Sequence, residues 1–405
     1  MEAAKVYAHL AALVRKKYPK APVRYFRAPG RTELGGNHTD HNRGRVLAAA
    51  IDLAITAAVV KTDDAIISLY SEDYAKPHII SLADLKKKKT DNHTTAGLVR
   101  GVAAYLREAG GKVGGFCAQL ASRVPAGSGL SSSAAFELLI GTILNTLYNE
   151  NKFSPLALAR VGQRAENDYY GKPCGLMDQV ACAQGGVVAI DFKKPDAPVV
   201  TSVSIDMKKE GQALFIVVTG GDHASLTAAY AAIPAEMKSV AAFFGKETLS
   251  ELKCRDIEAA LPRLRAKTGD RAIMRALHFF HENDRVRRQV LALHSGDFAH
   301  FLGLVNESAD SSWELLQNCV HPANPARQGI GLALALSRNF LGREGACRVH
   351  GGGFAGTIQC WVPTRRAAAY KKLMDCVFGQ GSVIPVNISP TGATETGLQA
   401  PGRSV

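Results

Sequence analysis

The 405-residue chain is 46% hydrophobic and 21% charged, a globular composition at a length that suits two domains. Its charged start, Met1-Glu2-Ala3-Ala4-Lys5, and the lack of any apolar run of about 18 residues argue against a signal peptide and a membrane span. The net charge of +13 is dense only at Lys86-Lys87-Lys88-Lys89, which reads as a solvated face, not a nucleic-acid site, with attraction of an anionic ligand as the sharper alternative. Eight cysteines without a CxxC pair fit reduced thiols in a cytoplasmic protein better than disulfides or a zinc site.

Tyr7, Leu10, Leu13 and Val14 recur at helical spacing, and Pro19 and Pro22 end that helix after Tyr18. Residues 23–28 read as a short strand leading into Pro29-Gly30-Arg31-Thr32-Glu33-Leu34-Gly35-Gly36-Asn37-His38-Thr39-Asp40-His41-Asn42. No amphipathic period runs through these fourteen residues, so they are expected to form a recognition surface, not a helix or strand built for the core. Strands follow at 47–60, 65–70 and 115–120, with a helix at 97–106. Residues 125–133, Pro-Ala-Gly-Ser-Gly-Leu-Ser-Ser-Ser, feed a strong helix, and Ser154-Pro155 caps a second one to Tyr170. Residues 193–198 (Lys-Lys-Pro-Asp-Ala-Pro) suggest a boundary between lobes 1–194 and 195–405. The second half carries helices near 235–244, 249–266, 270–295 and 298–318, then a glycine cluster at 351–356 beside a strand through Trp361. Strands and helices mix throughout, so the class is α+β.

The 125–133 loop has a direct chemical reading. Glycines let backbone N–H groups face an anion, the next helix adds its positive end, and serine hydroxyls can bind phosphate oxygens or a hard cation. Gly127, Ser128, Gly129, Ser131 and Ser132 are the candidate phosphate ligands. A tight strand-to-helix turn is the bland alternative, and no lysine follows the last glycine as a Walker loop requires. Asp178, after the turn Gly171-Lys172-Pro173-Cys174-Gly175, could orient a substrate hydroxyl or accept its proton, or merely cap a helix.

Four segments, 29–42, 124–137, 171–179 and 350–357, resemble the motifs of galactokinases, in the GHMP kinase superfamily, in order and spacing. Weaker matches at Asp222-His223-Ala224-Ser225-Leu226 with Tyr230, and at Ser389-Pro390-Thr391-Gly392-Ala393, extend the resemblance over nearly the whole chain. It implies an N-terminal lobe like ribosomal protein S5 domain 2 and a ferredoxin-like C-terminal lobe whose final segment returns toward the cleft; separately, a monomer is the first expectation, with an oligomer as the alternative. It also implies ATP, Mg2+, and transfer of the γ-phosphoryl group to the anomeric hydroxyl of a hexose. By the resemblance, Asp178 and Arg31 are catalytic, Ser133 and Glu166 associate with magnesium, and Asn37, His38, Asp40, Gly175 and Tyr230 contact the sugar.

The chain departs from the family pattern at Asn37, where a glutamate is usual, at Glu33 and Gly35, where asparagine and isoleucine are usual, and at His41 in place of tyrosine. The family's adenine-stacking tryptophan is missing near Thr95. Galactose is the first expectation for the substrate. An amide at position 37 leaves a uronic acid such as galacturonate as an alternative, and a non-catalytic sugar sensor is a third reading.

Overall fold

The computed structural model describes residues 2–125, 128–221 and 226–397. Helix α1 (Glu2–Lys17) buries Tyr7, Leu10, Ala11 and Val14 against Tyr25, Ala58 and Val60, on one face of the first sheet. Strand β1 (Arg24–Gly35) pairs with the long strand β2 (Arg45–Lys61), from Arg24 opposite Val59 to Gly35 opposite Leu47. The first half of the polar motif is thus a buried strand, against expectation. Its period is hidden by register irregularities at 29–31 and 33–35 and by burial of every residue from Ala28 to Gly35, which leaves no solvent face to alternate with.

Strands β3 (Ile66–Ser71) and β4 (His78–Ser81), helix α2 (Thr95–Glu108) and strand β5 (Phe116–Ser122) follow. Three helices come next. They are α3 (Ser132–Tyr148), α4 (Pro155–Arg164), capped by the Ser154 hydroxyl as its Ser-Pro start suggests, and α5 (Met177–Gln184). The expected helix to Tyr170 changes pitch: Ala165–Tyr170 form a π-helical turn ending at Gly171. Strands β6 (Val187–Asp191) and β7 (Val199–Val203) pair antiparallel. Residues 193–198 are therefore the turn of this hairpin, and the expected division at 194/195 falls within the first sheet; Pro and Lys mark a turn there, not a linker.

The second sheet is antiparallel. Its strands are β8 (Gln212–Gly220), β9 (Ala346–His350), β10 (Gly356–Pro363) and β11 (Val383–Val386), in the order β11-β8-β10-β9. Helices α6 (Thr227–Phe243), α7 (Cys254–Thr268), α8 (Asp270–Ser295) and α9 (Phe298–Ser311) come between β8 and β9, followed by a π-helical turn at Ser312–Leu316 and by α10 (Gly329–Leu341). Helix α11 (Ala367–Phe378) packs on the same core as α10. The chain then returns: Ile388 bridges Ile51, and β12 (Thr394–Glu395) pairs with β1 at the edge of the first sheet.

The lobes meet along β1. Arg348 of β9 and Glu33 of β1, 0% and 3% exposed, form an ion pair of 2.6 Å. Helix α8 backs the same strand, with Glu282 accepting the Gly36 N–H at 3.0 Å and Gln289 donating to the Leu34 carbonyl. Gln289 fits because position 35 is glycine: a Cβ there would lie 2.0 Å from its Oε1. Removing one member of a buried ion pair leaves the other charge uncompensated, at about 3–5 kcal/mol. Arg348→Met is expected to lower unfolding free energy by that amount in urea titration, and Glu33→Gln combined with Arg348→Met to recover more than half of the loss.

Candidate active site

Arg31 extends from β1 and is 6% exposed. Its Nε lies 2.8 Å and its Nη2 2.6 Å from Asp178 Oδ1, while its Nη1 donates to the Gly129 carbonyl. Asp178 sits in the first turn of α5, and its Oδ2 accepts from the Ser131 hydroxyl at 2.5 Å. Both carboxylate oxygens are thus held, yet the Asp178 side chain stays 28% exposed. Burial pushes its acidity down, but the Arg31 charge and the Ser131 and Arg31 hydrogen bonds outweigh burial and hold the carboxyl below its usual range. Asp178 is therefore ionised at neutral pH. The stability from this depressed carboxyl is present at neutral pH and is lost as pH falls through its folded value.

The loop into α3 is shaped by close approach. The Arg31 N–H donates to the Leu130 carbonyl at 3.1 Å, and a Cβ on Gly30 would lie 2.6 Å from that oxygen. Gly129 has φ +70° and Ser131 is left-handed at φ 59°, so the chain turns sharply before Ser132 starts the helix. Ser128, Gly129, Ser131 and Ser132 all lie at this positive helix end. Gly127 lies outside the described residues, as do residues 222–225.

Ser133 donates to Glu166 Oε1 at 2.9 Å. Glu166 projects from the π-helical turn and is 1% exposed. Lys172 reaches the same oxygen at 3.1 Å, and Gln179 Nε2 bridges Glu166 and Glu137, at 2.9 and 3.0 Å. Burial, then the Glu166 charge, drive Glu137 well above the usual carboxylate range. The Glu166 carboxyl and the Ser133 hydroxyl form a hard-oxygen set that suits Mg2+. Among the described residues no cluster of three His, Cys, Asp or Glu side chains forms a cage by itself.

Asn37, His38 and Tyr230 gather around the carbonyls of residues 351–353. Asn37 Nδ2 donates to the Gly351 carbonyl at 2.9 Å and to Glu33 at 3.0 Å, and its Oδ1 accepts from Asn318 at 2.8 Å. His38 Nε2 donates to the Gly352 carbonyl at 3.0 Å, and the Tyr230 hydroxyl to the Gly353 carbonyl at 2.9 Å. Burial and then His41 lower the His38 pKa to about 3, leaving a neutral ring whose Nδ1 is an acceptor. Asp40 fits against Gly175, where a Cβ would lie 1.9 Å from Asp40 Oδ2. Asn37 is 1% exposed, with both amide atoms engaged by protein groups.

The structure thus forms two clusters, Arg31–Asp178–Ser131 with Ser133–Glu166, and Asn37–His38–Tyr230 with Asp40–Gly175. Sequence reading assigned no role to Lys172, Gln179, Glu137, Asn318 or Arg348. The first three lie inside motifs, and Lys172, six residues after Glu166, was within reach of a sequence argument. Asn318 and Arg348 carry no local signal.

A GHMP kinases N terminal domain model matches residues 97–186, and a galactokinase galactose-binding signature matches residues 15–61. A galactokinase of Streptomyces coelicolor is 34% identical over 368 residues, 90% of this chain and 91% of that one. A galactokinase of Glaesserella parasuis is 32% identical over 86% of this chain and 87% of that one. Among solved structures, Lactococcus lactis galactokinase complexed with galactose matches with a TM-score of 0.82 at 26% identity, covering 96% of this chain and 100% of that one. Methanococcus jannaschii mevalonate kinase, at 16% identity over 91% of this chain and 99% of that one, shares the fold with a TM-score of 0.64. The fold is that of a GHMP kinase. Within that class, the chain belongs to the galactokinase family.

The Ser131 hydroxyl is one of the groups that hold Asp178 low. In Ser131→Ala the Asp178 carboxyl is expected to titrate at higher pH than in the unchanged protein, read from its carboxyl carbon shift by NMR; an unmoved titration would remove Ser131 from the account.

Proposed function

We propose that the protein is a galactokinase, transferring the γ-phosphoryl group of ATP to the anomeric hydroxyl of galactose. The observation that carries this reading is the ionised Asp178, held by Arg31 and Ser131 beside the positive end of α3, with the His38, Asp40 and Tyr230 cluster next to it. The likeness to galactokinases over nine-tenths of the chain supports it.

Residues 128–132 and the N-terminus of α3 hold the phosphates of ATP. His38, Asp40, Gly175 and Tyr230 shape the sugar pocket. Asp178 accepts a hydrogen bond from the anomeric hydroxyl and orients it. Its depressed pKa makes it a weak base, which suits a loose phosphoryl transfer in which the proton leaves late and positioning dominates. Arg31 neutralises charge on the transferring group while keeping Asp178 ionised. Ser133 and Glu166 would hold Mg2+, which supplies charge neutralisation at the phosphates when bound.

No described helix is long and apolar enough to cross a membrane, and all eight cysteines are free thiols. We place the enzyme in the cytoplasm, as a monomer. Asp178→Asn is expected to lower kcat by about 10²–10⁴-fold while galactose still binds in calorimetry; undiminished turnover would refute the role of Asp178. Gly175→Ala should displace Asp40 and raise the sugar KM at least about tenfold, with the ATP KM little changed. Turnover on galacturonate exceeding that on galactose would move the assignment to a uronic-acid kinase, and turnover on no hexose or uronate would favour a sensor.

A further inference from the structure

His350 has no part in the chemistry above, yet it lies between the phosphate loop and the strand that carries Arg31. It is 2% exposed. Its Nε2 is 3.1 Å from Thr32 Oγ1 and its Nδ1 is 3.2 Å from Thr357 Oγ1. Both neighbours are hydroxyls, which can donate or accept, so the direction of these bonds has to be fixed from elsewhere.

Groups that act in only one sense fix it. The Trp361 indole only donates, and it meets Gln359 Oε1 at 3.2 Å. This orients the Gln359 amide, whose Nε2 donates to Thr32 Oγ1 at 2.6 Å and to the Glu33 carbonyl at 2.9 Å. At the other end the Ser128 carbonyl only accepts, and it takes the Thr357 hydroxyl proton at 3.2 Å. Thr357 then has no proton left for His350, so His350 Nδ1 carries the hydrogen and donates. The Nε2 lone pair accepts the Thr32 proton. Five hydrogen bonds therefore run one way, from Trp361 through Gln359, Thr32, His350 and Thr357 to Ser128.

A charged ring would break this order, because Nε2–H would face Thr32 and strand the Thr32 proton. Burial, then the charges that face the ring, Arg31 on β1 and Arg348 on β9, keep His350 well below the usual histidine range. Its other neighbours, on β10 and in the loop, are neutral. A Cβ on Gly129 would lie 3.3 Å from His350 Nδ1, so ring and loop are in contact as well.

We propose that His350 is a positioning residue of the phosphate loop: a neutral ring protonated on Nδ1, it holds the Ser128–Gly129 turn through Thr357 and so places the Gly129 carbonyl that Arg31 binds. The kinetic consequence rests on the kinase reading; the hydrogen-bond direction does not. In ¹⁵N-histidine spectra, the resonances lost in His350→Gln should show protonated Nδ1, bare Nε2 and no titration between pH 8 and pH 5.5. The opposite tautomer, or titration in that range, overturns the proposal whatever the enzyme does. Thr357→Val should raise the ATP KM about tenfold with the sugar KM within twofold, and Thr357→Ser should restore it. Equal changes in both KM values, or a serine variant as impaired as the valine one, would show a merely structural role and overturn it too. If the protein turns over no sugar, calorimetric ATP affinity replaces the ATP KM, with the same outcomes.

Discussion

The buried ion pair between Glu33 and Arg348 is the constraint around which the cleft is arranged. Both charges are out of water, so each holds the other in place, and with them β1 against the second sheet. Glu33 also accepts from Asn37, which binds Gly351, which begins the loop met by His38 and Tyr230. The departures at Glu33, Gly35 and Asn37 become one change in this light. A carboxylate and an amide four residues apart stand in the reverse of the usual family order; the carboxylate faces Arg348 and the amide spans Glu33, Gly351 and Asn318. Gly35 leaves room for Gln289 behind them.

Charge is sorted with similar economy across the rest of the cleft. Asp178 and Glu137 both belong to the helix layer behind the site, but their environments push them apart. Asp178 has a guanidinium and a hydroxyl on its two oxygens, which hold its carboxyl low, while Glu137 has only an amide and a neighbouring carboxyl group, and burial pushes it high. Glu166 accepts from Ser133, Lys172 and Gln179, so a residue with no charge of its own, Gln179, keeps two carboxyl groups in a fixed relation.

Much of this was legible because the chemistry is local. Arg31, His38 and Asp40 fall within ten residues, as do Ser128 to Ser133, and short loops between regular elements keep such neighbours together in space. Helix starts with a chemical cap, such as Ser154-Pro155, were readable for the same reason. What escaped depends on distant parts of the chain. Arg348 and His350 reach β1, and Asn318 reaches Asn37 just after it, from about 280–320 positions away, and nothing near them in sequence says so. The strand from 29 to 35 was missed because its irregular register erases the alternation that would reveal it. The π-helical turns at Glu166 and before Asn318 keep an apolar spacing close to that of an α-helix, so their change of pitch leaves no signature. The hairpin turn at 193–198 carries the same residues as a linker would.

The returning segment bears on how the protein is made. Asp52 holds Asn387, Ser389 pairs with Ala50, the Ala393 N–H donates to the Cys182 carbonyl on α5, and Arg24 grips Glu395 across 371 positions. Gly392 lies so close to α5 that a Cβ there would be 2.0 Å from the Ala183 carbonyl. The helix that carries Asp178 is thus braced by residues translated some two hundred codons after it. While the ribosome still lacks those codons, β1 presents an unpaired edge and α5 an uncovered end, a state open to strand addition by neighbouring chains. Completion of the sheet and bracing of the Asp178 helix then come from a single late event.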